Sequence, residues 1–194
     1  MLKIFLIIFL VSQTFALSSQ TPLSTRIYKS DIKTLQAGIK DQKFLLPIIE
    51  LNGSDLLEFS FDQMSHDSRT YRYKVIHLNA DRTPSELMSN EYLSGFTNAD
   101  ITDYTLSVNT TYLYTHYRFY LPNENMSFKI SGNYAVIIYQ DNKPEDPVAV
   151  ACFSIVEPKV GISASVRGNT DTELNGRLQQ IDMEVALKGY KVRD

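Results

Sequence analysis

Three histidines, one cysteine and a pair of loop aspartates are the side chains of this chain best suited to chemistry, and their spacing gives them little to do together. His66, His77 and His116 lie in segments of different character, and none has a second histidine or a cysteine at metal-ligand spacing. His77 shares a strand face with Tyr71, Tyr73 and Val75 and reads as a core or hydrogen-bonded histidine; His116 flanks Tyr117 in a tyrosine-dense strand. Asp100 and Asp103 with neighbouring carbonyls would suit calcium, yet two aspartates in a polar loop read first as solvated carboxylates. An acid and base pair built from them would need a cleft around it. No nucleophile elbow, HExxH helix, phosphate loop or GxGxxG turn is present. The expectation is a protein without catalytic residues, metal or cofactor.

Cys152 stands alone, so an internal disulfide is impossible and packing must supply the stability. Its segment, Pro147 to Ile155, alternates Ala149, Ala151, Phe153 and Ile155 on one face with Cys152 on the other. A half-buried, small apolar side chain is the reading over a reactive thiol.

Strands must position these groups. Two-residue periodicity recurs near Ile32 to Ile39, Phe44 to Leu51, Leu56 to Phe61, Tyr71 to Leu78, Tyr104 to Val108, Tyr112 to Leu121, Phe128 to Ile130, Tyr134 to Tyr139 and Val148 to Val156. Polar turns at Asn52-Gly53-Ser54, Pro122 to Asn125 and Asp141 to Pro144 punctuate them. Many short strands at such intervals predict an all-β, immunoglobulin-like sandwich over residues 27–157. Leu57, Phe59 and Phe61, then Tyr117, Phe119 and Leu121, then Tyr134, Val136 and Ile138 form its expected core. Ser131-Gly132-Asn133-Tyr134 has the form of a tyrosine corner, whose hydroxyl bonds back to upstream backbone.

One short helical excursion interrupts the pattern: Thr83 as cap, Pro84 in the first turn and Glu86 as capping-box partner predict helix over Ser85 to Leu93 before Gly95. Beyond Pro158, the alternations Val160 to Val166 and Ile181 to Leu187 flank a polar loop. They predict a hairpin over residues 158–194 that either docks on the sandwich or begins a second β-domain. Asn52, Asn109 and Asn125 open Asn-X-Ser/Thr triplets that read as turn residues.

With 43% hydrophobic, 11% aromatic and 21% charged residues the chain has the proportions of a folded domain. A formal charge of -3 supplies no basic field for nucleic acid or anionic lipid. Lys3, the apolar run Ile4 to Val11 and the small residues to Ser19 form an export leader over residues 1–18, cut after Ala16 or Ser18. The apolar run is too short to span a bilayer. Direct membrane insertion is not expected.

The phrases HLNADRTPSELMSNEYLSGF, NTTYLYTHYRFYLPNE and SGNYAVIIY follow one another between His77 and Tyr139. In them the chain resembles the plug proteins of the bacterial type IX secretion system. The resemblance covers Ile27 to about Tyr190. It departs at Asn79 and Arg82, where the family carries a cysteine and a tryptophan, and around Gln179 to Asp182, where a histidine and a glutamate are replaced. It implies a periplasmic, non-enzymatic binding protein from the Bacteroidota that occludes the inner opening of an outer-membrane translocon barrel. The expected partner anchors are Tyr92, Phe96, Tyr112 and Tyr114, which fall in loops or at strand starts. The alternative is a secreted carbohydrate-binding or adhesion sandwich that stacks exposed tyrosines on sugars.

Overall fold

The computed structural model describes residues 21–42, 44–172 and 176–191, and the expected leader lies outside them. In chain order the elements are β1 (Arg26–Ile27), β2 (Ile32–Ile39), β3 (Ile48–Glu50), β4 (Leu57–Gln63), β5 (Tyr71–Leu78), α1 (Ser89–Tyr92), β6 (Leu93–Gly95), β7 (Asn98–Ile101), β8 (Asp103–Leu106), β9 (Thr115–Leu121), β10 (Met126–Phe128), β11 (Gly132–Gln140), β12 (Pro147–Val156), β13 (Gly161–Arg167) and β14 (Gln180–Ala186). One sheet runs β1-β12-β11-β5-β7, with β3 parallel to β12, and the facing sheet runs β2-β4-β9-β8. β6 pairs with β10, and β13 with β14.

The architecture is the all-β sandwich that the spacing predicts. All nine residues expected in the core are buried, because strict alternation puts them on the inner faces of β4, β9 and β11. Rings interlock across the two sheets, where Tyr73 stacks on Phe119 at 4.4 Å between centroids and Phe59 meets Phe153 edge-on at 5.5 Å, and within each sheet, where Phe59 stacks on Phe119 at 5.1 Å and Tyr134 on Phe153 at 5.4 Å. Burying one such side chain contributes roughly 1.5–3 kcal/mol, so packing alone can hold the two sheets together. Cys152 is half-buried on the outer face of β12, with Leu78, Ala135 and Val150 in a second apolar cluster that Leu23 packs against.

The tyrosine corner is formed: Tyr134 Oη donates to the Ile130 carbonyl at 2.7 Å. It ties the entry of β11 to the chain four residues upstream, and burial pushes its phenol pKa up. Gly132, at φ 150°, leaves room for the neighbouring imidazole; a Cβ there would lie 2.4 Å from His77 Nε2. His77 faces inward as expected, with Nδ1 2.9 Å from Ser85 Oγ and its ring 5.0 Å from that of Tyr134. Burial lowers its pKa.

Four local expectations are corrected. The helix is one turn, Ser89–Tyr92, not Ser85 to Leu93. Pro84 instead bridges back to Leu78 and Thr83 closes a turn with Asn79, which commits the first part of the segment to extended backbone. The acidic partner of the helix start is therefore Glu91, whose carboxylate accepts the Met88 N–H at 2.6 Å. The expected strand Phe44 to Leu51 shrinks to β3, since Pro47 has no N–H for a ladder. The strand before Leu121 begins at Thr115 rather than Tyr112, because Ser107 and Tyr114 close the neck of a loop. β1, β6 and β7 were not legible as strands.

β7 and β8 are two halves of one bent ribbon. Before Thr102 it pairs with β5 in the first sheet, and after it with β9 in the second. It fastens one flank of the sandwich. The strand ends at Tyr71, Thr115 and Pro147 gather at one pole, called the loop pole, and those at Leu78, Leu121 and Val156 at the other, from which β13 and β14 follow.

The β13–β14 hairpin has two unlike faces. Ile162, Ala164 and Val166 pair with Val185, Met183 and Ile181 on one of them, and all six are exposed. Ser163, Ser165, Asp182 and Glu184 occupy the other, where Arg167 Nε meets Asp182 at 3.1 Å.

Candidate functional site

The four residues expected to anchor a partner do not converge. Tyr92 is buried in the core, only 6% exposed, with its ring 6.1 Å from that of Tyr134 and its hydroxyl 3.5 Å from the Val75 carbonyl. It holds α1 onto the sandwich and offers no surface to a partner, which corrects the expectation for that residue. Phe96 is 67% exposed, just after Gly95 at φ 91°, where its N–H donates to the Asn125 carbonyl at 2.9 Å. That places it beyond Leu121. Tyr112 is 74% exposed and Tyr114 half-buried, both before Thr115. The seven residues of β9 separate the two groups, a span of roughly 20 Å. Phe96 and Tyr112 therefore belong to opposite poles.

At the loop pole the sequence builds a shaped surface around Tyr112 and Tyr114. The loop between β8 and β9 is clamped at its neck: Ser107 N–H donates to the Tyr114 carbonyl at 2.9 Å, and Tyr114 N–H donates to Ser107 Oγ at 3.0 Å. His66 adds a third tie, its Nε2 lying 3.0 Å from the Ser107 carbonyl and 2.9 Å from the hydroxyl. A carbonyl only accepts, so the Nε2–H tautomer fits. Thr115 Oγ1 donates to the Ser65 carbonyl at 2.7 Å and pins the loop containing His66 from the other side. Asn109 at φ 56° and the Thr110 hydroxyl on the Tyr112 carbonyl shape the tip. Held this way, Val108, Tyr112 and Leu113 are all exposed, next to Tyr104 and Leu106 of β8. An apolar surface of this kind on a fixed loop is the form of a binding site rather than a reaction centre.

The groups with chemical potential are tied up in structure. Asp100 pairs with Arg72 at 2.7 Å and Asp103 with Arg118 at 3.0 Å, one in each sheet. His116 Nδ1 sits 2.6 Å from Asp62, whose second oxygen accepts from the Thr34 hydroxyl. Among the described residues no group of three or more histidine, cysteine or acidic side chains is placed to hold a metal. A cavity of about 560 Å³ opens beside β2, lined by Leu35, Ala37, Ile39, Phe44 and Pro47, with Glu58 and Cys152 as its ionisable groups. Burial pushes the Cys152 thiol up, which favours its unreactive protonated form. No helix of the described residues is long and apolar enough to cross a membrane.

Sequence reasoning missed Tyr104, Leu106, Val108 and Leu113 as surface residues and His66 as the loop's clamp. Alternation marked Tyr104 to Val108 as a strand, but nothing local marks a strand as the edge of its sheet. His66 and Ser107 are 41 residues apart, and only the fold brings them together.

Fold and site together define a β-sandwich whose accessible features suit binding. The chain belongs to the type 9 secretion system plug protein family, whose first domain matches residues 32–157. It is also similar to a hypothetical protein from Parabacteroides merdae, known from a crystal structure, at 40% identity with a TM-score of 0.85 over 90% of this chain. The chain spans 44% of that protein's length. An alkylpurine DNA glycosylase from Pseudomonas fluorescens aligns with a TM-score of 0.30 at 10% identity, too low to carry an argument. Among curated proteins none matches. The family points to a non-enzymatic role connected with type 9 secretion.

Proposed function

We propose that the protein is exported to the periplasm through a cleaved leader over residues 1–18 and closes the periplasmic opening of the secretion system's outer-membrane barrel by steric occlusion. The observation that carries this reading is the family match over residues 32–157, the whole of the sandwich sheets from β2 onward. A stopper needs shape, rigidity and reversible contact, and a ring-packed sandwich with a clamped apolar loop supplies all three. The interface would be of standard size, with aromatic anchors inside a polar rim. Of the expected anchors, Tyr112 and Tyr114 belong to the pole where such contact would form, while Phe96 lies at the pole from which the hairpin follows. Residues 158–194 are the opening of a second β-domain, whose further strands would cover the six apolar residues of β13 and β14. A carbohydrate-binding role would draw on the same exposed tyrosines, without a family match behind it.

Co-purification from envelope extracts tests the reading. The tagged protein is expected to bring down the translocon barrel when the pore carries no substrate or shuttle subunit. Absence from that complex would refute it.

A further inference from the structure

We propose that β8 is a docking edge, on which an extended segment of the barrel partner adds as a fifth strand to the β2-β4-β9-β8 sheet. The proposal names how the partner is gripped and rests on the plug reading above.

The argument starts from the ladder. β8 is the outermost strand of its sheet, and its register pairs Asp103 with Arg118, Tyr104 with Tyr117, Thr105 with His116 and Leu106 with Thr115. In an antiparallel pair, residues alternate between those that exchange hydrogen bonds with the partner strand and those whose backbone groups point away. The Ser107 N–H on the Tyr114 carbonyl fixes the phase. Thr105 and Asp103 therefore bond to β9, and the N–H and C=O groups of Tyr104 and Leu106 face outward. Four backbone groups await a strand, and a strand is the chemical form that satisfies them in a row.

The other edges of the two sandwich sheets do not make the same offer. β2 has a register break between Lys33 and Gln36, with Thr34 at φ 49°, which bends its edge. β1 and β3 are two and three residues long. β7 is part of the same ribbon as β8 and turns its even-numbered residues outward in the same phase, but those residues are polar. Val75 N–H on the Thr97 carbonyl puts polar Asn98 and Asp100 at its outward-bonding positions. On β8 those positions hold exposed Tyr104 and Leu106, and no lysine, proline or bulge protects the strand. Asp103 is turned back onto Arg118 along the sheet surface, away from the edge. Just beyond, the clamped tip carries Val108, Tyr112 and Leu113. An incoming strand thus meets a hydrogen-bonding edge continued by a fixed apolar wall. Its own side chains should be apolar at alternate positions to lie against Tyr104 and Leu106.

Leu106→Pro is the deciding variant, because it removes an outward N–H without touching a bond to β9, and edge strands accept proline there. Leu106→Val keeps the N–H and the apolar character. The probe is the detergent-solubilised translocon barrel, bound to the purified protein. Leu106→Pro is expected to weaken binding at least about tenfold, the scale of one or two lost hydrogen bonds, while Leu106→Val stays within about twofold of the wild type. In the wild-type complex, amide exchange at Tyr104 and Leu106 is expected to slow at least about tenfold against the free protein. That second measurement decides the matter should Leu106→Pro fail to fold. Wild-type binding with unchanged exchange at these amides, or undiminished binding by a folded Leu106→Pro, overturns the docking edge and leaves the plug reading intact. No binding by the wild type overturns both. A concentration-dependent dimer that Leu106→Pro abolishes would make a second copy the occupant and overturn the assignment to the barrel.

Discussion

The sandwich and the hairpin are written in the same two-residue code and come out opposite. Tyr134, Val136 and Ile138 of β11 alternate and are wholly buried; Ile162, Val166, Ile181 and Met183 alternate just as strictly and are each more than 60% exposed. Period two establishes that a strand has two faces. Whether the apolar face becomes core depends on a second layer. β4 and β9 supply that layer for β11, whereas β13 has β14 beside it and nothing among the described residues above it. An isolated two-stranded ribbon is marginal in water, so the two regions should respond to substitution very differently.

The largest separation should come from Phe59→Ala, which empties a site where three rings meet. It is expected to cost about 3–5 kcal/mol by denaturant unfolding, and a loss below about 1 kcal/mol would break the picture of a ring-packed core. Tyr134→Phe sharpens the comparison by removing one hydroxyl and no carbon. Leaving the Ile130 carbonyl without its donor is expected to lower stability by roughly 1–3 kcal/mol.

The effect of His77 is smaller and depends on pH. Burial holds its folded pKa below the ordinary 6.5, so the unfolded chain takes up the proton first as the solution is acidified. Stability is complete above that value and falls as pH drops through the interval beneath it. Thermal unfolding between pH 7 and 5 should show a steeper loss for wild type than for His77→Gln; parallel curves would contradict a half-buried neutral imidazole. At the bottom of the scale, Ile181→Ala should change unfolding of this chain by no more than about 0.5 kcal/mol. A cost near that of Phe59→Ala would show the hairpin face to be covered after all.

Most of the sandwich was legible because its signals are local. The nine inward residues, the corner at Tyr134 and the bounds of β2 and β5 follow from alternation and turn chemistry alone. The site was legible only in part. Tyr112 and Tyr114 carried a readable signal, being aromatic residues near a strand start. Tyr92 carried the same signal and is buried, because its fate is set by contacts with His77 and Tyr134 far along the chain. The opposite placement of Phe96 and Tyr112 depends on register between strands, which composition and periodicity do not encode. The edge character of β8 is likewise a property of the whole sheet.

The bent ribbon from Asn98 to Leu106 has a mechanical consequence. Its upper half is laced to β5 and its lower half to β9, so a pull applied at Leu106 is shared by hydrogen-bond ladders in both sheets. A load directed along that strand is carried in shear by both ladders rather than peeled from the rim of one sheet.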